Sequence, residues 1–122
     1  MVYTLKTILL IDDSPLIIAR VQHILEGIHT ISNILTAENF AQAKPLLQKK
    51  PDIVLLDIQL PDTNGIDILR FIKREYPDII VIMLTNDSSE TYRARCTALG
   101  SYAFLDKSTE FHLIPSTIAP LL

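Results

Sequence analysis

The chain holds a single cysteine, Cys96, in 122 residues, so no internal disulfide can staple its fold. No histidine or second cysteine stands at metal-ligand spacing beside it, and Cys96 reads as a core thiol in a reducing compartment. Glycine is scarce at three residues, and none forms the glycine-rich loop that a nucleotide- or flavin-binding domain needs after its first strand. Asp12-Asp13-Ser14-Pro15 stands in that place. The longest uninterrupted apolar run, residues 79–84, is far short of a membrane span. Basic residues are not in excess: Lys+Arg 11 against Asp+Glu 14 gives a net charge of −3, which leaves no broad basic face for nucleic acid. Met1 reads as a natural start, and no signal-like stretch separates it from the first strand. There is no internal repeat, linker or low-complexity tract, so the expectation is one soluble, cytoplasmic domain over residues 1–122, with neither membrane nor nucleic acid as a direct partner.

What is present is apolar and periodic. A hydrophobic share of 48% over this length is enough to bury a real core. Short apolar runs alternate with longer stretches of helical spacing, the pattern of an α/β fold with a parallel sheet wound in both directions. Strands are predicted near 7–11, 31–36, 53–57, 79–84 and 102–105, with helices between them. Ser14 caps the first helix with Pro15 at its first position, and Gly27 closes it. Asn39 caps the second, where Pro45 should bend the helix or delay its start. Asn64 caps the third, which turns Ile66, Leu69, Phe71 and Ile72 toward the sheet and stops before Pro77. Asp87 with Glu90 makes a capping box for the fourth, closed by Gly100. Tyr92, Cys96 and Leu99 share one side of that helix and are read as its sheet-facing side rather than a docking stripe. The fifth helix starts near Glu110 or Phe111 and contains Pro115 and Pro120.

The chemistry lies at the strand ends. Ile8-Leu9-Leu10-Ile11 ends in Asp12 and Asp13; Ile53-Val54-Leu55-Leu56 ends in Asp57; the fourth strand ends in Thr85 and the fifth in Asp106-Lys107. Taken singly, an acid after a strand is most often a turn former, a threonine only a last strand residue, and a lysine a solvated charge. Their coincidence at equivalent positions is informative, because ligands in such sheets bind beyond the carboxyl ends of the strands, where the winding reverses. Three carboxylates in a small volume oppose one another's ionisation unless a cation intervenes. Magnesium takes carboxylate oxygens and keeps waters that a phosphate can displace. With a lysine opposite the acids and a hydroxyl nearby, the set suits a phosphoryl group attacked by one carboxylate.

These motifs together resemble the receiver domain of two-component response regulators, over the whole chain. Ile11-Asp12-Asp13-Ser14 resembles the family's acidic pair, and Leu55-Leu56-Asp57-Ile58-Gln59-Leu60-Pro61 with Gly65 its phosphoacceptor segment. Thr85 matches the switch hydroxyl, and Phe104-Leu105-Asp106-Lys107 the aromatic and lysine of the fifth strand. The resemblance implies a sheet of order 2-1-3-4-5 with five helices, the flavodoxin-like arrangement. It implies that Asp57 is phosphorylated, that Asp13, Asp57 and the backbone carbonyl of Gln59 ligate Mg2+ (or Mn2+), and that Asp12 acts partly through bound water. Thr85 and Lys107 would assist the transfer, Gln59 and Asn86 flank access to the phosphoryl group, and Thr85 and Phe104 switch. The donor would be a sensor histidine kinase or a histidine phosphotransfer protein. The output would be a downstream protein or an output domain beyond this segment, and the surface of the fourth helix, fifth strand and fifth helix would carry the signal or form a homodimer. The protein would be no enzyme beyond its own phosphorylation and dephosphorylation.

Several positions depart from the commonest pattern. Asn86 follows Thr85 where a very small residue is more usual. Ser108 follows Lys107 in place of the frequent proline, which leaves a cis or trans bond open. Phe104 has no hydroxyl, and Tyr102, two residues earlier, is the rival for the moving aromatic. Other classes compete with this reading. A Mg2+-dependent phosphohydrolase with an aspartate nucleophile of the haloacid dehalogenase type spaces its key acids two residues apart, and here they are adjacent. A receiver-like scaffold that binds partners without phosphorylation takes some support from Asn86 and Ser108.

Overall fold

The computed structural model describes residues 5–87 and 89–122; the first four residues of the expected 1–122 domain lie outside them. Five parallel strands form one sheet in the order β2-β1-β3-β4-β5. The strands are β1 (Lys6–Ile11), β2 (Ile31–Ala37), β3 (Ile53–Leu56), β4 (Ile80–Thr85) and β5 (Ala103–Asp106). The helices are α1 (Pro15–Glu26), α2 (Phe40–Leu47), α3 (Gly65–Glu75), α4 (Glu90–Ala98) and α5 (Ile114–Ile118). No helix among the described residues is long and apolar enough to cross a membrane.

The central strands are apolar throughout because helices cover both of their faces. Successive side chains point to opposite faces, and each strand therefore feeds two cores. Leu9, Ile11, Val54, Leu56, Val81, Met83 and Phe104 face the layer that includes α2, α3 and α4. Ile8, Leu10, Ile53, Leu55, Ile82, Leu84 and Leu105 face α1 and α5. The chain winds outward from β1 to β2 and then back past β1 to β3, so the crevice between the ends of β1 and β3 is the point where the winding reverses.

The caps explain most helix starts. The Ser14 hydroxyl accepts from Ile17 N–H, and Pro15 occupies the first helical turn, where a missing N–H costs nothing. Asn39 accepts from Gln42 N–H, and α2 begins there undelayed, with Pro45 inside it. Asn64 caps α3. The expected face of α3 needs one correction: Ile66, Leu69 and Ile72 are buried, but Ile68 joins them, and Phe71 stands half-buried at the flank, edge-on to Phe40 and Tyr76. The capping box expected for α4 does not form. Asp87 N–H donates to Thr85 Oγ1, and the helix starts two residues later on Ser89, whose hydroxyl accepts from Tyr92 N–H. At the other end Gly100, with φ of 101°, takes the left-handed conformation that closes α4. The fifth helical stretch is broken. Single 3-10 turns at Phe111–Leu113 and Ala119–Leu121 flank α5, and both prolines sit at the start of a new turn, where they remove no helical hydrogen bond.

Candidate functional site

Strand pairing brings the strand-end residues together. Ile11 pairs with Leu56, and Asp57 N–H donates to the Ile11 carbonyl at 3.0 Å, so Asp12 and Asp57 leave adjacent strands side by side. Thr85 pairs with Asp106, and Lys107 N–H donates to the Thr85 carbonyl at 3.0 Å. Carboxylate oxygens of Asp12, Asp13 and Asp57 all lie within 4.8 Å of one another. Asp12 and Asp57 are buried, Asp13 exposed.

Lys107 reaches back across the rim. Its ammonium lies 2.5 Å from Asp12 Oδ2 and donates to Asp57 Oδ2 at 2.9 Å. Burial opposes the charge on Lys107, but hydrogen bonds to Asp12 and Asp57 outweigh it and hold the ammonium above the usual lysine value of 10.5. Burial pushes Asp12 above the usual 3.8, against the pull of Lys107 and of Ser14 N–H, which donates to Asp12 Oδ1 at 2.9 Å. With all three acids ionised, three carboxylates face one ammonium, and the cluster carries an excess of two negative charges. That excess matches a divalent cation. An octahedral magnesium holds its oxygens at roughly 2.0–2.1 Å, or about 4.2 Å between opposite ligands. The donor set is all oxygen, and its spacing fits such an ion with modest adjustment or a bridging water.

The remaining predicted residues line a cavity of about 400 Å³ over this cluster, bounded by Asp13, Ser14, Asp57, Gln59, Thr85, Asn86 and Lys107 among others. Gln59 N–H faces Asp57 Oδ1 at 3.4 Å, and Gln59 pairs with Asn64 across the β3–α3 loop. That loop closes on Gly65, whose N–H donates to the Ile58 carbonyl at 2.5 Å. A Cβ at residue 65 would stand 1.9 Å from the Asp57 carbonyl oxygen, so only glycine fits against the backbone of the acid. The Asp62 carboxylate, on the same loop, accepts from Phe40 and Ala41 N–H at 3.0 and 3.1 Å and ties the loop to the start of α2. Ser108 Oγ lies 3.5 Å from Asn86 Oδ1 at the rim, and no cis peptide bond occurs among the described residues. Phe104 is buried under α4, whereas Tyr102 precedes β5 and is half exposed.

The sequence pattern points to neither Asp62 nor Arg93, and to Glu110 only as a candidate start of the fifth helix. Arg93, on α4, places its guanidinium 4.8 Å from the centre of the Phe104 ring and donates to the Phe104 carbonyl at 2.8 Å. It also pairs with Glu110 at 3.0 Å. Arg93 and Glu110 stand 17 residues apart and meet only through the packing of α4 on β5, so no local pattern could have shown the contact.

Three carboxylates thus gather at the reversal point of a 2-1-3-4-5 α/β sheet, faced by a lysine. The family model of the response regulator receiver domain matches residues 8–119, and the chain belongs to that family. It is 31% identical over 113 residues to the DNA-binding transcriptional activator EvgA of Escherichia coli K12, covering 90% of this chain and 54% of that protein. It is 34% identical over 103 residues to a protein-glutamate methylesterase/protein-glutamine glutaminase of Treponema pallidum, covering 82% of this chain and 26% of that one. The crystal structure of the signal receiver domain of a DNA binding response regulator (merR) from Colwellia psychrerythraea superposes with a TM-score of 0.88 at 31% identity, covering 95% of this chain and 97% of that one. The chain thus spans about half the length of EvgA, or less of the other curated relative.

Proposed function

We propose that the chain, read as one receiver domain over residues 1–122, is a phosphorylation-dependent switch that accepts a phosphoryl group on Asp57 from a phosphohistidine of a sensor kinase or phosphotransfer protein. The observation that carries this reading is the joint contact of the Lys107 ammonium with Asp12 and Asp57, beside three carboxylates within 4.8 Å of one another. A carboxylate oxygen of Asp57 attacks the phosphorus; the P–O bond forms as the P–N bond breaks, and its electron pair returns to the imidazole nitrogen. Lys107, already 2.9 Å from Asp57 Oδ2, pairs with a phosphoryl oxygen as charge builds on it. Asp12, Asp13, Asp57 and the Gln59 carbonyl would hold Mg2+ or Mn2+. That ion supplies charge neutralisation for the incoming phosphoryl oxygens. Asn86 and Gln59 border the opening and narrow the approach of donor and water.

Phosphorylation replaces one carboxylate by a group with more charge and more acceptor oxygens. Thr85 then gives up its hydrogen bond with Asp87 N–H and donates to the phosphoryl group, while Phe104 repacks beneath α4. The reshaped surface of α4, β5 and α5 meets a downstream protein, an output domain or a second copy of the chain. Its chemistry on small molecules is limited to its own phosphorylation and dephosphorylation, in the cytoplasm.

Acetyl phosphate with magnesium should add the mass of one phosphoryl group to the protein and none to Asp57→Asn. No gain by the wild type would leave a binding scaffold. Sustained release of many phosphates per protein from an aryl phosphate would mark a phosphohydrolase.

A further inference from the structure

Cys96 is the one fully buried side chain of α4, with Tyr92 and Leu99 only partly covered. On the same helix, Arg93 touches three things at once: the Phe104 ring, the Phe104 carbonyl and Glu110. The same Glu110 Oε1 also accepts from Asp106 N–H at 3.0 Å, and Glu110 N–H donates back to the Asp106 carbonyl at 2.8 Å. One guanidinium therefore joins α4, β5 and the turn that leads to α5. Burial of Phe104 beneath it makes the contact stronger than a surface pair, because a cation over a desolvated ring loses less to water. Its donation to Glu110 also keeps that carboxyl below the usual value of 4.5.

Arg93 is also placed to feel the site. Its N–H bonds to the carbonyl of Ser89, the cap of α4, at 2.9 Å. Ser89 follows closely on Asp87, whose N–H holds Thr85 Oγ1 at 3.2 Å. Thr85 and Phe104 share the sheet face under α4, since Met83 pairs with Phe104 and Thr85 with Asp106. Were Thr85 to move toward Asp57, its bond with Asp87 N–H would break, which removes that tether ahead of α4 and opens space diagonal to the Phe104 ring. A Phe104 ring turned into that space would leave its present place 4.8 Å beneath the guanidinium.

We infer that Arg93, with Phe104 and Glu110, is a latch that holds the α4–β5–α5 surface in the conformation described here and opens when Asp57 is phosphorylated. The inference rests on the proposed switch and adds the residue that sets its resting balance. A ligand that favours the open state binds more tightly when the closed state is weakened, so loss of the latch has a sign that loss of mere packing does not.

The test is the affinity for beryllofluoride, a phosphoryl mimic, with magnesium present. Arg93→Gln should bind it about three- to tenfold more tightly than the wild type while unfolding at a lower temperature. Glu110→Gln should shift affinity the same way by less, and the double variant should add little to Arg93→Gln. Arg93→Lys keeps the charge without the planar fork and should fall between. Unchanged or weaker binding by Arg93→Gln, with normal binding by the wild type, overturns the latch alone. A wild type that binds no beryllofluoride overturns the switch and the latch with it. Should Arg93→Gln fail to fold, the wild type still decides: its Arg93 side-chain NMR signal, displaced by the Phe104 ring, should move toward that of a free arginine in the complex, and a signal that stays put overturns the latch.

Discussion

α3 and α4 cover the same face of the sheet and are held there by opposite means. α3 buries Ile66, Ile68, Leu69 and Ile72 and begins on a glycine pressed against the backbone of Asp57. At about 1.5–3 kcal/mol for each large buried side chain, it cannot leave without unfolding the domain. α4 buries Cys96 alone and is fastened by a few polar contacts centred on Arg93, each worth about 1 kcal/mol. The helix that follows the acid is fixed, and the helix that follows Thr85 is loose. On the proposed switch, rearrangement at Asp57 moves α4 while α3 stays as its frame.

The largest effect expected is on the fixed side. Gly65→Ala puts a Cβ 1.9 Å from the Asp57 oxygen and 2.7 Å from Ile58 Cα, and should lower stability by about 4 kcal/mol or more in urea denaturation. A variant of near-normal midpoint would undo the contrast at its root. Leu69→Ala in α3 should cost about 3 kcal/mol, and Cys96→Ala in α4 only about 1. Equal losses would mean that α4 is packed as firmly as α3. Amide hydrogen exchange sharpens the same point: α4 should exchange by local opening, well before α3, which should require global unfolding.

The site between the two helices has its own pH signature. Lys107 is held above 10.5 in the folded chain by Asp12 and Asp57. Its contribution to stability is therefore complete below that value and is lost as pH rises through the folded value. Urea midpoints should fall in that alkaline window for the wild type, and Lys107→Met should lack that fall; a parallel fall in both would deny the contact. The smallest effect expected is at the surface of α3. Arg70 pairs with Asp67 at 3.4 Å with both side chains well exposed, and Arg70→Ala should change stability by about 0.5 kcal/mol at most. Arg93→Ala should cost about 2 kcal/mol, because it removes both the bond to the Phe104 carbonyl and the pair with Glu110.

Much of this was legible because buried parallel strands are written as apolar runs, and each run here stops at a polar residue. Ile8 to Ile11 stops at Asp12, Ile53 to Leu56 at Asp57, and both strands were placed within a residue of their bounds. That Asp12 lies beside Asp57 follows from the reversal of winding between β1 and β3, a matter of topology and not of local pattern. The start of α4 was misread because Asp87 and Ser89 are both cap formers. Only the prior engagement of Asp87 N–H by Thr85 Oγ1 decides between them. Pro115 and Pro120 signalled trouble in the fifth helix, and the chain answers by starting a new turn at each. Tyr102 and Phe104 were rivals on spacing alone. The fold places them differently: Phe104 is buried within β5, and Tyr102 stands half exposed just before it.

Amide NMR of the free protein against its complex with beryllofluoride and magnesium tests the whole account most directly. Changes should run from the loops around Asp57 through Thr85 into α4 and β5, with the buried face of α3 nearly still. Shifts confined to the immediate neighbours of Asp57, or as large in α3 as in α4, would contradict it.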